Sequence, residues 1–156
     1  MKRTLIIITI AAMFAACNDK DTKDKDMSMP EILEPQSGAC PADCQHFDRG
    51  DTIPVCYLFT DDTELGAYNI EIHNNFSHHT HSTSDSECEH DEIKTPVNPW
   101  VFNHDYSIPE GMREFEARTD IVVPEDIDHG EYHFMIRLTD RAGWQQIKSV
   151  DIHING

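Results

Sequence analysis

The chain has 156 residues, with 29 acidic against 12 basic side chains and a formal net charge of −17. So acidic a surface repels nucleic-acid phosphates and attracts cations, which argues against DNA or RNA as a partner. Once its terminal segments are set aside, the length suits one domain around one core.

Residues 1–16 read as a lipoprotein signal peptide. Lys2 and Arg3 form a positive n-region, and Leu5 to Ala16 is an apolar stretch too short to span a bilayer comfortably. Phe14-Ala15-Ala16-Cys17 resembles the bacterial lipobox, with Phe14 where leucine is usual. That resemblance implies cleavage before Cys17, lipidation of Cys17 and a lipid anchor in the outer membrane. Cleavage removes Lys2 and Arg3 and no acid, making the mature chain more negative still. Residues 17–29 follow as an acidic tether. Asn18 to Asp26 holds no apolar residue and cannot bury enough surface to offset its ordering entropy. This stretch resembles the acidic segment behind the lipidated cysteine of surface-exported Bacteroidota lipoproteins. The resemblance implies the cell-surface face of the outer membrane, with the periplasmic face as the alternative.

Four cysteines lie beyond Cys17: Cys40, Cys44, Cys56 and Cys88. In an exported protein an even number favours disulfides, and four allow three pairings. Cys88 is expected to pair with Cys40 or Cys44, tying a mobile loop to the amino-terminal segment. Cys56, alternating outward on its strand, is then the expected partner of the cysteine left over. The competing reading takes Cys40, Cys44 and Cys88 with His46 as thiolate and imidazole ligands of zinc, a minority chemistry in an oxidising compartment.

From residue 30 to 156 short alternating runs separated by turn residues predict an all-β antiparallel sandwich. Ile53, Val55, Tyr57 and Phe59 alternate with Pro54, Cys56, Leu58 and Thr60 until Asp61-Asp62 breaks the strand. Tyr68, Ile70 and Ile72 alternate with Asn69, Glu71 and His73. Trp100-Val101-Phe102 opens a short apolar stretch, Phe115 to Val123 is a further strand, and Glu131 to Thr139 turns through Asp140–Gly143 into Ile147 to Ile154.

Between the second and third of these runs lies H-N-N-F-S-H-H-T-H-S-T-S-D-S-E-C-E-H. It carries His73, His78, His79, His81 and His90, five of the ten histidines in the chain. Neutral imidazole is the commonest protein ligand for zinc and copper, and carboxylates complete such sites.

The combination of Asp61-Asp62, the H-N-N-F-x-H-H-x-H motif and G-E-Y-H-F-M-I-R-L-T-D-R-A-G-W resembles a Bacteroidota lipoprotein family of unknown function. The likeness covers roughly Glu31 to Ile154 and implies an immunoglobulin-like fold without an established activity. On that topology Tyr68–His73 becomes strand C, Glu131–Thr139 strand F and Ile147–Ile154 strand G of one sheet. Alternation then puts His73, His133 and His153 on the outer face. A hairpin centred near Gly143 places His133 opposite His153, and antiparallel C and F bring His73 beside His133. His78 and His79 point apart in an extended segment, so the loop histidines are not all expected on one ion.

The sequence therefore predicts a surface lipoprotein that binds a divalent transition metal through His73, His78, His79, His81, His133 and His153. Zinc is preferred and copper next, and delivery to an outer-membrane transporter would make the role metal acquisition. The other reading is an interaction module that grips a protein or glycan through its loops. No Gly-rich phosphate loop, G-x-S-x-G or H-E-x-x-H motif occurs, and no catalytic residue is expected.

Overall fold

Alternating burial runs through residues 25–34, 41–79 and 88–156, the parts of the chain described by the computed structural model, and they form eight strands and no helix. These are β1 (Glu31–Leu33), β2 (Gln45–Phe47), β3 (Thr52–Thr60), β4 (Leu65–Asn74), β5 (Val101–Ser107), β6 (Glu114–Val122), β7 (Gly130–Asp140) and β8 (Gln145–Ile154). One sheet has the order β1-β3-β6 and the other β2-β8-β7-β4-β5. Their apolar faces meet as an immunoglobulin-like sandwich. Tyr57 and Phe59 of the first sheet pack with Ile70, Ile72, Phe134, Ile136, Leu138 and Ile152 of the second, all fully buried. Strands C, F and G of the sequence reading are β4, β7 and β8, neighbours as expected. The pairing is antiparallel throughout, except that β2 runs parallel to β8. β1 and β2 escape sequence reading because three residues are too few to show an alternation.

Tyr132 fixes the entry to β7. Its hydroxyl donates to the Asp128 carbonyl at 2.7 Å and accepts from the Trp100 backbone N–H at 3.2 Å, forming a tyrosine corner. Burial pushes its phenol above the usual range, so the hydroxyl keeps the proton it donates. Tyr132→Phe is expected to destabilise the domain by about 1–3 kcal/mol, because the Trp100 N–H loses its acceptor in a dry site. Urea denaturation of both proteins measures it, with unchanged m-values expected.

One expectation is corrected. The β7–β8 hairpin centres on Ala142, not Gly143, because the Asp140 carboxylate holds the turn open. Its Oδ1 accepts from the N–H groups of Gly143 at 2.6 Å and Trp144 at 2.8 Å, and Thr139 pairs with Gln145. Register therefore moves by two residues: His133 faces Asp151, and His153 faces Glu131. An even shift leaves every side chain on its expected face. His133, on the outer face as expected, is 1% exposed because the segment after β4 folds over it. Residues ahead of 30 also touch the sandwich. The Trp144 indole N–H donates to the Asp26 carbonyl at 3.1 Å and Ser28 Oγ donates to Asp62 at 2.8 Å, so the last residues of the expected tether lie against the sandwich.

Candidate metal centre

β4 and β7 run antiparallel in a register that makes His73 and His133 direct partners, as the topology predicted. The loop after β4 brings a third imidazole. His79 lies with its ring centre 5.6 Å from that of His73 and 5.1 Å from that of His133, which are themselves 5.4 Å apart. One ring nitrogen of each lies within 4.8 Å of the other two, a spacing that one ion can bridge.

The Nδ1 atoms share a pattern. His73 Nδ1 sits 3.1 Å from Glu71, His133 Nδ1 sits 2.5 Å from Asp151 Oδ1, and His79 Nδ1 sits 3.2 Å from Ser77 Oγ. A histidine that ligates through Nε2 characteristically has Nδ1 held by a carboxylate or another acceptor, which fixes tautomer and ring orientation. His133 has such a hydrogen-bonded carboxylate, and His73 has one within ion-pair distance. His133 Nε2 lies 2.9 Å from the His79 carbonyl oxygen. Donation to that carbonyl and ligation of a metal exclude each other, so filling the site requires the His79 carbonyl to rotate away. The rigid half of the site is thus the sheet and the adjustable half is the loop.

A second group lies beside the first. Glu131 is two residues from His133 on the same face of β7, about 7 Å along the strand. It is 6% exposed, accepts from the Asp91 N–H at 2.7 Å, and lies 3.1 Å from His90 Nδ1 and 3.4 Å from His78 Nε2. His78 has a left-handed φ of 56°, and this turn sends His78 and His79 to different groups. The expectation that the loop histidines would diverge is met, with this backbone position as the cause.

His153 joins neither group. Its Nε2 bonds Asp91 Oδ2 at 2.9 Å and its ring lies 4.6 Å from that of His46. The hydrogen bond from His153 holds the Asp91 carboxyl below its usual range, against a smaller opposing push from burial. His104 is exposed on β5 against Tyr106, away from both groups. His81, Cys17 and Cys40 lie outside the described residues. Sequence reading missed Glu71, Glu131 and Asp151 as partners of the imidazoles. Glu71 and Glu131 had a signal, since each lies two residues before His73 or His133 and so shares its face.

Cys44 and Cys88 form a disulfide across 44 residues of sequence, one of the two pairings expected for Cys88. This consumes two of the three sulfurs that the zinc–thiolate reading used. Cys56 faces outward as expected, opposite Arg118, but it is covered there to 2% exposure, with Sγ 3.8 Å from Glu116. Its expected pairing with Cys40 falls outside the described residues. The bridge holds the segment Cys88–Asp91 against the sheet, and with it His90 and the backbone N–H that Glu131 accepts.

Residues 15–155 match the family described as Domain of unknown function (DUF4625), and the chain belongs to that family. No curated protein matches it.

Proposed function

For this member of the DUF4625 family, we propose capture of a divalent transition metal, zinc first and copper next, at His73, His79 and His133. The observation that carries the reading is the convergence of three imidazoles, two of them with a carboxylate at Nδ1. Nitrogen donors without a thiolate suit zinc or copper over softer or harder ions. His78, His90 and Glu131 offer an adjacent secondary site. Capture fits better than turnover, since Glu71, Asp151 and Glu131 are each already engaged by an imidazole or a backbone N–H. The signal-like amino terminus supports a lipid anchor at Cys17 and an outer-membrane, cell-surface address, where delivery to an outer-membrane transporter would complete metal acquisition. The disulfide agrees with an oxidising address.

The test is thermal stability of protein purified without an affinity tag. Zinc at about 100 times its dissociation constant is expected to add about 2.7 kcal/mol of stability, reversed by chelator. Indifference to both would leave the interaction module as the reading, with the outer-face loops gripping a protein or glycan. For the anchor, Cys17→Ser is expected to leave the precursor uncleaved and move the protein out of the membrane fraction. Unchanged processing and attachment would remove the lipoprotein reading.

A further inference from the structure

The histidines occupy one end of the five-stranded sheet, and three carboxylates converge at the other. Asp140 ends β7, seven residues beyond His133. Asp61 follows β3, and Asp26 lies in the amino-terminal segment. One oxygen of each lies within 4.8 Å of the other two. Their hydrogen bonding follows a single pattern. Oδ1 of Asp26 accepts from Ser28 N–H at 3.0 Å, and Oδ1 of Asp61 from the N–H groups of Thr63 at 2.8 Å and Glu64 at 2.6 Å. Oδ1 of Asp140 accepts from Gly143 and Trp144. In all three residues Oδ2 is shielded from solvent and has no hydrogen-bond partner among the described residues.

Asp140 makes this more than an acidic patch. Its side chain is 4% exposed, and its Oδ2 belongs to a carboxylate aimed into the cluster. Buried polar atoms are almost always satisfied, so three carboxylates that converge, each with a shielded and unpartnered oxygen, call for an explanation. None of the ion pairs among the described residues involves any of the three. Mutual repulsion of three carboxylates is relieved by a cation between them.

We propose that Asp26, Asp61 and Asp140 form a calcium site that clasps the amino-terminal segment to the sandwich. An all-oxygen donor set excludes the soft and borderline metals favoured by imidazole. Ca²⁺ takes oxygens at about 2.3–2.6 Å in irregular geometry, so two on opposite sides of one ion stand about 4.6–5.2 Å apart. Mg²⁺ demands a tighter octahedron near 2.0–2.1 Å and keeps most of its water. Residues after the tether would thereby be fixed to the core, so that the ion sets where the chain leaves the domain. The Trp144 indole, bonded to the Asp26 carbonyl, lies at the same junction.

Calorimetric titration of the whole, chelator-treated chain with CaCl₂ tests this, read together with tryptophan emission and melting temperature. One site is expected, with a dissociation constant on the order of 10⁻⁴–10⁻³ M, as in extracellular calcium modules. Asp26→Asn and Asp61→Asn keep an Oδ1 acceptor and should each weaken binding at least tenfold. The Asp26 side chain accepts from Ser28 N–H alone among the described residues, and its carbonyl bond to Trp144 is unaffected by the substitution, so Asp26→Asn should fold normally. His73→Ala should titrate with CaCl₂ as the wild type does, which separates this site from the histidine centre. No calcium-dependent heat or melting shift at millimolar CaCl₂ would overturn the proposal. Undiminished affinity in both Asn variants, or an equal response to MgCl₂, would overturn it as well.

Discussion

His133→Ala is expected to lower zinc affinity about 100-fold or more, while His104→Ala leaves it unchanged. Loss of a carboxylate behind a ligand typically costs 10–100-fold, and loss of the ligand itself should cost at least as much as the upper end of that range. His133 is the central case because it is both fully covered and paired across strands with His73. Its ring cannot be replaced by a neighbour without moving the sheet. Asp151→Asn tests the same geometry more gently. It keeps the shape of the side chain but removes the charge at Nδ1, and a loss of about 10–100-fold is expected. His79→Ala should fall between His133→Ala and His104→Ala, because a loop can offer another imidazole. Acidification should weaken binding in the wild type, since protons compete for the nitrogens. Calorimetry on these variants reads all of these effects, and equal affinities for His73→Ala, His133→Ala and His104→Ala would dismiss the sheet-face site.

Cys88→Ser is expected to be the most destabilising single change, at about 4 kcal/mol. That figure follows from the chain entropy released when a loop of 44 residues is no longer closed. The variant should also lose zinc affinity at the His78–His90–Glu131 group, because His90 is two residues from the bridge. The main centre, built on β4 and β7, should keep most of its affinity. Denaturation of Cys88→Ser with and without zinc separates the two effects, and a stability equal to the wild type would show that the bridge closes no costly loop.

What the sequence disclosed, and what it withheld, follows from how far each signal reaches. Tyr68, Ile70 and Ile72 alternate cleanly, as do Tyr132, Phe134, Ile136 and Leu138, and all are buried in the sandwich. From those two strands and the antiparallel C–F pairing that the family resemblance implied, the adjacency of His73 and His133 was legible in the sequence. The position of His153 was not. It depends on the width of one turn, which the Asp140 carboxylate sets through the Gly143 and Trp144 N–H groups. The parting of His78 from His79 depends on one left-handed backbone position, for which histidine gives no local warning. Asp26, Asp61 and Asp140 are separated by 35 and 79 residues, and no periodicity links them. Their meeting is a product of the topology alone.

The parallel ribbon formed by β2 has a protective role. A sheet edge offers unpaired N–H and C=O groups to any passing strand and is a template for aggregation. β5 and β6 blunt their edges with polar side chains, among them Asn103, His104 and Asp105 on one and Glu114, Glu116, Arg118 and Asp120 on the other. The last three residues of β8 are instead covered by β2, secured at one end by the Cys44 N–H to the Asp151 carbonyl and at the other by the Asn155 N–H to the Phe47 carbonyl. Cys44 is also half of the bridge, so the cover is only as durable as the oxidised sulfurs. A thiol reductant would therefore do more than loosen a loop: by freeing β2 it would open the last three residues of β8 to pairing with a strand of another copy.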